Sequence, residues 1–312
     1  MKKSYLTRTL WIGIVTIFIL SVLPNIFSAY WMIDIFAHFK VQYSFVALLL
    51  LILVILFFRK KIIALILLIV SLAWNIAFIY PYYLNSNHNE TSKNIDLKIS
   101  SINLLSSNTD FLTVRNHILK ESPDILILME FNTVWEKQLQ PIFKNYRYKK
   151  LLPGPDNFGI ALLSKIEMKS AAVDFGSTSK PSIVGDFVIN KKSVTIIATH
   201  PVPPISQQAF ENRNKQLQYV VNHRSNFAKH LIVVGDFNTS SFSNQFNRLT
   251  ENDLKDSRIG FGLLPTWPAN FFPLQTTLDH CLISENINVI TRSAGENVGS
   301  DHLPISIELH LR

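Results

Sequence analysis

Six apolar runs in this 312-residue chain begin or end on side chains able to bind a cation or move a proton. The clearest is Leu231–Ser241, LIVVGDFNTSS, where a short β-branched run of the length of a buried strand meets a turn. Gly235 lets the backbone turn there, and Asp236 and Asn238 follow. A carboxylate beside a carboxamide suits a phosphate site, because one holds a cation or water and the other donates to an oxyanion. Gly, Asp and Asn are also ordinary turn residues, so the weight comes from the other runs. DILILME closes on Glu130, VTIIATH on His200 and LKISSIN on Asn103. TLDHCLIS carries Asp279 and His280, and GSDHLPISI places Asp301 and His302 just before a last strand. Together they describe one polar cluster at one edge of a sheet core.

Asn103, Glu130, His200, the GDFN of Gly235–Asn238, the LDH of Leu278–His280 and the SDH of Ser300–His302 stand in an order that resembles the endonuclease/exonuclease/phosphatase superfamily. Thr266-Trp267-Pro268 looks like a segment seen before the LDH strand in bacterial members. The resemblance covers roughly residues 95–310. It implies a DNase I-like α/β fold, a four-layer sandwich of two packed mixed sheets flanked by helices. It also implies roles. Glu130 matches the principal metal ligand, supported by Asn103 and Asp301. His302 matches the group that takes the proton from an attacking water, with Asp279 orienting its ring. His200 matches the histidine on the scissile phosphate, and Asp236 and Asn238 border the nucleophile. His280 has no such role and is expected to be structural.

The residues themselves spell no thiolate site, no Ser–His–Asp order and no Walker loop. An oxygen-rich set with two histidines favours a hard cation, Mg²⁺ or Mn²⁺. Such an ion polarises a phosphoryl oxygen and steadies the leaving oxyanion. The single cysteine, Cys281, excludes an intrachain disulfide and is expected to be a buried, inert thiol.

The elements that must position this set occupy only part of the chain. Leu10–Phe27, Val41–Phe58 and Ile62–Tyr80 are apolar stretches close to the roughly 20 residues a helix needs to cross a bilayer. Residues 1–84 are therefore expected to form a three-helix membrane anchor, 85–94 a polar linker and 95–312 the phosphoesterase domain. Of the net charge of +8, residues 1–84 carry +6, so the basic balance belongs to the membrane flanks rather than to a nucleic-acid surface. Lys2, Lys3 and Arg8 precede the first span, and Arg59-Lys60-Lys61 separate the second from the third. Positive charge stays in the cytoplasm. The N-terminus is then inside a bacterial inner or plasma membrane, and the 28–40 loop and everything after Tyr80 are outside.

Beyond the linker, strands and helices alternate. Strands are expected at 97–103, 124–130, 146–152, 159–164, 183–189, 194–199, 231–237, 278–283, 287–292 and 304–310. Helices are expected at 109–121, 133–143, 207–227 and 244–250, with a Gly/Pro-containing loop at 260–275. This pattern points to two packed sheets with helices outside.

Three functions fit. The first is a membrane-anchored, metal-dependent phosphodiesterase of nuclease type, which would need a basic groove. Lys149, Lys150, Lys191, Lys192, Arg213 and Lys215 are its candidates. The second is a lipid head-group phosphodiesterase or phosphatase of sphingomyelinase type. The third is a catalytically silent membrane protein that binds through the same fold. The expected partners are the bilayer and a phosphoester substrate, with no protein partner.

Overall fold

The computed structural model describes residues 2–57, 61–84 and 94–312. The expected linker falls almost wholly on 85–93 and the basic turn largely on 58–60, outside the described residues. The N-terminal part holds α1 (Lys2–Ile26), α2 (Trp31–Asp34), a 3-10 turn over Ile35–Phe39, α3 (Lys40–Phe57) and α4 (Ile62–Ile79). Three helical stretches, Tyr5–Ile26, Trp31–Phe57 and Ile62–Tyr82, are long and apolar enough to cross a membrane. They pack on one another through Ile14, Ala47, Val54, Ala64 and Leu68.

The segment expected as a loop, 28–40, is mostly helical instead. No Gly or Pro interrupts Trp31–Phe39, and its polar residues are satisfied from outside. Asp34 accepts from Ser243 Oγ at 2.5 Å, and His38 Nε2 from the Ser240 amide at 3.3 Å.

The remainder opens with β1 (Leu97–Asn103), α5 (Phe111–Glu121), β2 (Ile125–Met129), α6 (Thr133–Gln138), α7 (Gln140–Phe143), β3 (Tyr148–Leu152) and β4 (Ile160–Ser164). It continues through β5 (Met168–Val173), β6 (Ser182–Ile189), β7 (Lys192–Ala198), α8 (Gln207–Asn222), β8 (His230–Asp236) and α9 (Asn244–Asn247). It closes with β9 (Leu254–Asp256), β10 (Asp279–Ser284), β11 (Ile287–Ala294) and β12 (Ile305–Leu311). Helix starts follow their caps: Asp110 accepts from the Thr113 amide and Ser206 from that of Ala209. Helix α5 ends at the left-handed Ser122, just before Pro123.

The strands form two six-stranded mixed sheets, ordered β11-β12-β1-β2-β4-β3 and β5-β6-β7-β8-β10-β9. Their inner faces meet through Ile99, Ile127, Leu162, Ile196, Ile232 and Ile307. Helices α5 to α7 cover the outer face of the first sheet with Val114, Ile118, Trp135 and Phe143. Helices α8 and α9 cover the second with Leu217, Val220 and Phe246. This is the DNase I-like sandwich.

Pairing direction gathers the chemistry. Strands β1 and β2 are parallel, as are β7 and β8, so Asn103, Glu130, His200 and Asp236 all leave at one edge. Strands β10 and β12 run antiparallel to β8 and β1, which brings their beginnings, with Asp279 and the Asp301-His302 pair, to that same edge. Asp279 lies directly opposite Asp236 in the register.

Candidate active site

Asp236 is the hub. It is buried, and its Oδ2 lies 3.3 Å from Asn103 Nδ2, 3.5 Å from His200 Nε2 and 3.6 Å from His302 Nε2. Asn103 also donates to Glu130 Oε1 at 3.4 Å, and the Ser106 amide donates to Glu130 Oε2 at 2.9 Å. On the far side, His302 Nδ1 donates to Asp279 Oδ2 at 2.8 Å. Asn103 and the His302 segment belong to the first sheet, and Asp236 and Asp279 to the second. The network therefore exists only while the two sheets are packed.

Backbone geometry supports this close approach. A Cβ on Gly235 would sit 2.0 Å from the Thr199 carbonyl oxygen, and its φ is +149°, so only glycine lets β8 run this close to the His200 strand. Glu130 and Asn238 occupy the left-handed region at φ 54° and 51°. Asparagine tolerates this; a glutamate there stores strain of order 1 kcal/mol, the kind of outlier that clusters at functional sites. The Asn238 amide donates to Asp236 Oδ1 at 2.8 Å, while its side chain donates to the Pro201 carbonyl at 3.0 Å.

Charge is distributed unevenly over the histidines. Burial alone would depress the His302 imidazolium, but Asp279 and Asp236 outweigh it and raise its pKa to about 10. Burial works against the Asp236 carboxylate too, yet His302 and His200 hold it down to about 2. Asp236 is thus a fixed anion between two imidazoles. His280, only one residue from Asp279, behaves in the opposite way. Burial and then the Arg258 guanidinium push it to about 3. Arg258 Nη2 donates to its Nδ1 at 2.9 Å, and its Nε2 donates to the Thr239 carbonyl at 2.7 Å. A neutral ring with both nitrogens engaged by protein is a structural part. Cys281 is buried in β10 and its thiol is pushed up to about 12 by burial, which makes it inert.

The donor set fits a hard cation. Among the described residues the buried Asp301 Oδ1 has no hydrogen-bond partner, while Oδ2 accepts from Trp267 Nε1 at 3.2 Å. A buried carboxylate oxygen without a partner needs a positive charge or a donor. Asp236, Asp279 and His302 also offer atoms within 4.8 Å of one another. The 2.8 Å contact commits two of these three to each other, and both Glu130 oxygens already accept hydrogen bonds, which leaves Asp301 Oδ1 as the carboxylate oxygen without a partner. Asn103 turns its nitrogen to the carboxylates and its oxygen to the Leu105 amide, so it acts as a clamp in this orientation and would ligate only after an amide flip.

The sequence marks Trp267 only as part of the Thr266-Trp267-Pro268 segment, without its contact, and does not mark Phe158. Trp267 braces Asp301, and the Phe158 ring lies tilted over His200 with centroids 5.5 Å apart. Neither contact has a local signal, because each joins segments distant in sequence. The proposed basic groove needs correction. Arg213 is fully buried; it donates to the Asn238 carbonyl at 2.8 Å and pairs with Asp34 at 3.4 Å. Lys191 lies in the turn before β7 and Lys192 begins that strand, at the end away from His200, where Lys192 Nζ donates to the Leu311 carbonyl. Lys149 Nζ donates to the Tyr146 carbonyl.

Comparison with known proteins agrees with the fold. D. rerio TDP2 complexed with single-strand DNA product superimposes with a TM-score of 0.59 at 15% identity, over 69% of this chain and 98% of that one. The human Nocturnin catalytic domain with bound sulfate gives 0.57 at 20% identity, over 69% and 94%. Beta toxin from Staphylococcus aureus gives 0.50 at 18% identity, over 70% and 100%. No curated protein sequence matches the chain. The sequence profile of one family, however, matches residues 72–302, well over half of the length and spanning every strand-end residue of the network. The chain belongs to the Endonuclease/Exonuclease/phosphatase family, and it is a phosphoester hydrolase.

Proposed function

We propose that the chain is a membrane-anchored, divalent-metal-dependent phosphodiesterase in which His302 and Asp279 activate a water. The observation that carries this reading is the His302–Asp279–Asp236 arrangement. With Nδ1 committed to Asp279, His302 has only Nε2 to take a proton, and Nε2 faces Asp236 at 3.6 Å, too long for a direct hydrogen bond. His200 stands on the other side of the same carboxylate, placed to meet a phosphate oxygen. Glu130 and Asp301, with Asn103 after its flip, would hold Mg²⁺ or Mn²⁺. The ion supplies the positive charge that polarises the phosphoryl group. A silent binding protein has no need of a carboxylate–imidazole pair this closely spaced.

The test is a substrate panel on the full chain with Mg²⁺ or Mn²⁺, containing plasmid DNA, RNA, sphingomyelin, phosphoinositides and a chromogenic phosphodiester. Asp236→Ala is the inactive control. Turnover is expected to vanish in excess chelator, and Glu130→Gln is expected to raise the Mg²⁺ needed for half-activity. Undiminished turnover without metal would remove the cation from the reaction.

The helices also bear on placement. Asn25, Lys40 and Tyr82 lie at the ends of the three helices that meet the two-sheet body, since Asn25 and Tyr82 bond directly to it. At the other end Lys61 Nζ sits over the Trp11 ring at 5.5 Å, next in sequence to Arg59 and Lys60. The positive-inside rule then puts the phosphoesterase domain, 95–312, outside the cytoplasm. Protease added to intact spheroplasts is expected to digest residues 85–312, and protection until lysis would reverse the topology.

A further inference from the structure

Two loops lead away from the two histidines, and both end on the three-helix segment. The first follows His200 through Pro201, Val202, Pro203 and Pro204 to Ile205; next in sequence is Ser206, the cap of α8. There Gln207 donates from Nε2 to the Ala29 carbonyl and accepts from the Trp31 amide at 3.2 Å each. The second runs from Trp267 to Gln275. It is tied to Asp301 through Trp267 Nε1 and through the Ala269 amide, which donates to the Asp301 carbonyl at 2.7 Å. At its other end Gln42 Nε2 donates to the Gln275 carbonyl at 3.0 Å, and Thr276 Oγ1 to that of His38 at 2.9 Å. The mouth of the site is therefore level with the ends of the apolar helices.

Both loops carry bare apolar side chains at that level. Ile205 is 76% exposed and Phe272 is 80% exposed, with Phe271 and Leu274 beside it. Phe271 and Phe272 are the only exposed phenylalanines of residues 94–312 among the described residues, and they are adjacent. The other exposed aliphatics of that part, such as Leu112, Val134 and Val188, are scattered singly, which is ordinary for a protein surface. On the helical side the surface continues through exposed Tyr30, Met32 and Phe36. Aromatic rings at the ends of spanning helices sit at the headgroup level of a bilayer.

We propose that Ile205, Phe271, Phe272 and Leu274 form a rim that inserts into the bilayer interface, so that the site takes a phosphoester carried by a membrane lipid. The occupant is the bilayer rather than a protein partner, because the rim is continuous with the membrane-crossing surface through four hydrogen bonds at Ala29, Trp31, His38 and Gln42. Transfer of exposed phenylalanine and isoleucine side chains out of water favours this contact. The substrate half of this inference rests on the phosphoesterase reading above; the surface half does not.

Cys281 is the sole cysteine and is buried, so a spin label can be placed at one chosen position. Full-length Phe272→Cys and Ile205→Cys, labelled and reconstituted in vesicles of phosphatidylcholine and phosphatidylglycerol, are expected to collide more with oxygen than with a water-soluble nickel chelate. A label at Val188, near the β6–β7 turn and away from the site, is expected to show the reverse. Labels at 272 and 205 that behave as at 188 would overturn the rim. In parallel, Ile205→Ser/Phe271→Ser/Phe272→Ser is expected to keep hydrolysis of bis(4-nitrophenyl) phosphate within twofold while losing at least tenfold on the vesicle lipids. Equal loss on both, or wild-type turnover of an oligonucleotide with none of vesicle lipid, would overturn the lipid substrate. Failure of the wild type on every diester would instead sink the phosphoesterase reading, leaving the label result standing.

Discussion

Replacing His302 with alanine is expected to lower phosphodiester turnover by roughly 10²–10⁴-fold, the usual scale for a positioned general base. Asp279→Ala should fall in the same range, because the 2.8 Å bond to Nδ1 fixes both the tautomer and the direction of Nε2. The two act as a unit, so the double variant should be little worse than His302→Ala alone. Losses that multiply would show that they work separately. Asp236 is then the next candidate base, although two imidazoles hold it ionised down to about 2, which makes it a weak proton acceptor.

The pH profile separates the two roles further. With its pKa raised to about 10 from the ordinary 6.5, the substrate-free imidazole is protonated at neutral pH. Its contribution to stability is full below about 6.5 and fades as the pH rises through about 10, since it is the charged ring that Asp279 and Asp236 stabilise. Activity that needs the neutral ring should rise from acid towards alkaline pH. Asp279→Asn removes the larger of the two raising charges, so the acid limb of kcat/KM should move to lower pH even as the rate falls. An acid limb that stays in place would mean that another group sets it.

The strand ends were readable from sequence because alternation and apolar run length report burial directly. Runs such as ILILM in β2 and the LIVVG of β8 are buried on both faces, and their terminal polar residues have nowhere to go but the edge. Strand β5, MKSAAV, was missed because it is an edge strand with one half-exposed face and little β-branching. Strand β9 has three residues, too few to show a period. The helix expected over 133–143 is broken into α6 and α7 around Leu139, just ahead of Pro141. What no local pattern could show was that the 28–40 segment packs onto the site loops. That segment reads as a loop between two spans, whereas its Asp34 and His38 are buried against Ser243, Arg213 and Ser240. A partner 170 or more residues away leaves no trace in local periodicity.

That packing carries the second large expectation. Arg213 and Asp34 are fully buried. The guanidinium reaches Asp34 at 3.4 Å on one side and donates to the Asn238 carbonyl on the other, and the Asn238 amide in turn holds Asp236. Asp34 also accepts from Ser243 Oγ, so removing its carboxylate leaves both a buried cation and a buried hydroxyl without their partner. Asp34→Ala in the full chain is therefore expected to cost about 3–5 kcal/mol, the range for breaking a buried pair from one side. Replacing both members with apolar residues of similar size, Asp34→Leu/Arg213→Met, should cost less than the single change, because no charge is then left stranded. Denaturant unfolding of the detergent-solubilised chain, followed by tryptophan fluorescence, reads the difference. Turnover should follow the same order, since the Asn238 carbonyl loses its orienting donor in the double variant but faces no stranded charge. A single variant as stable as wild type would show that the helices merely tether the phosphoesterase body. The expected loss would make the three-helix segment a structural wall of the active site.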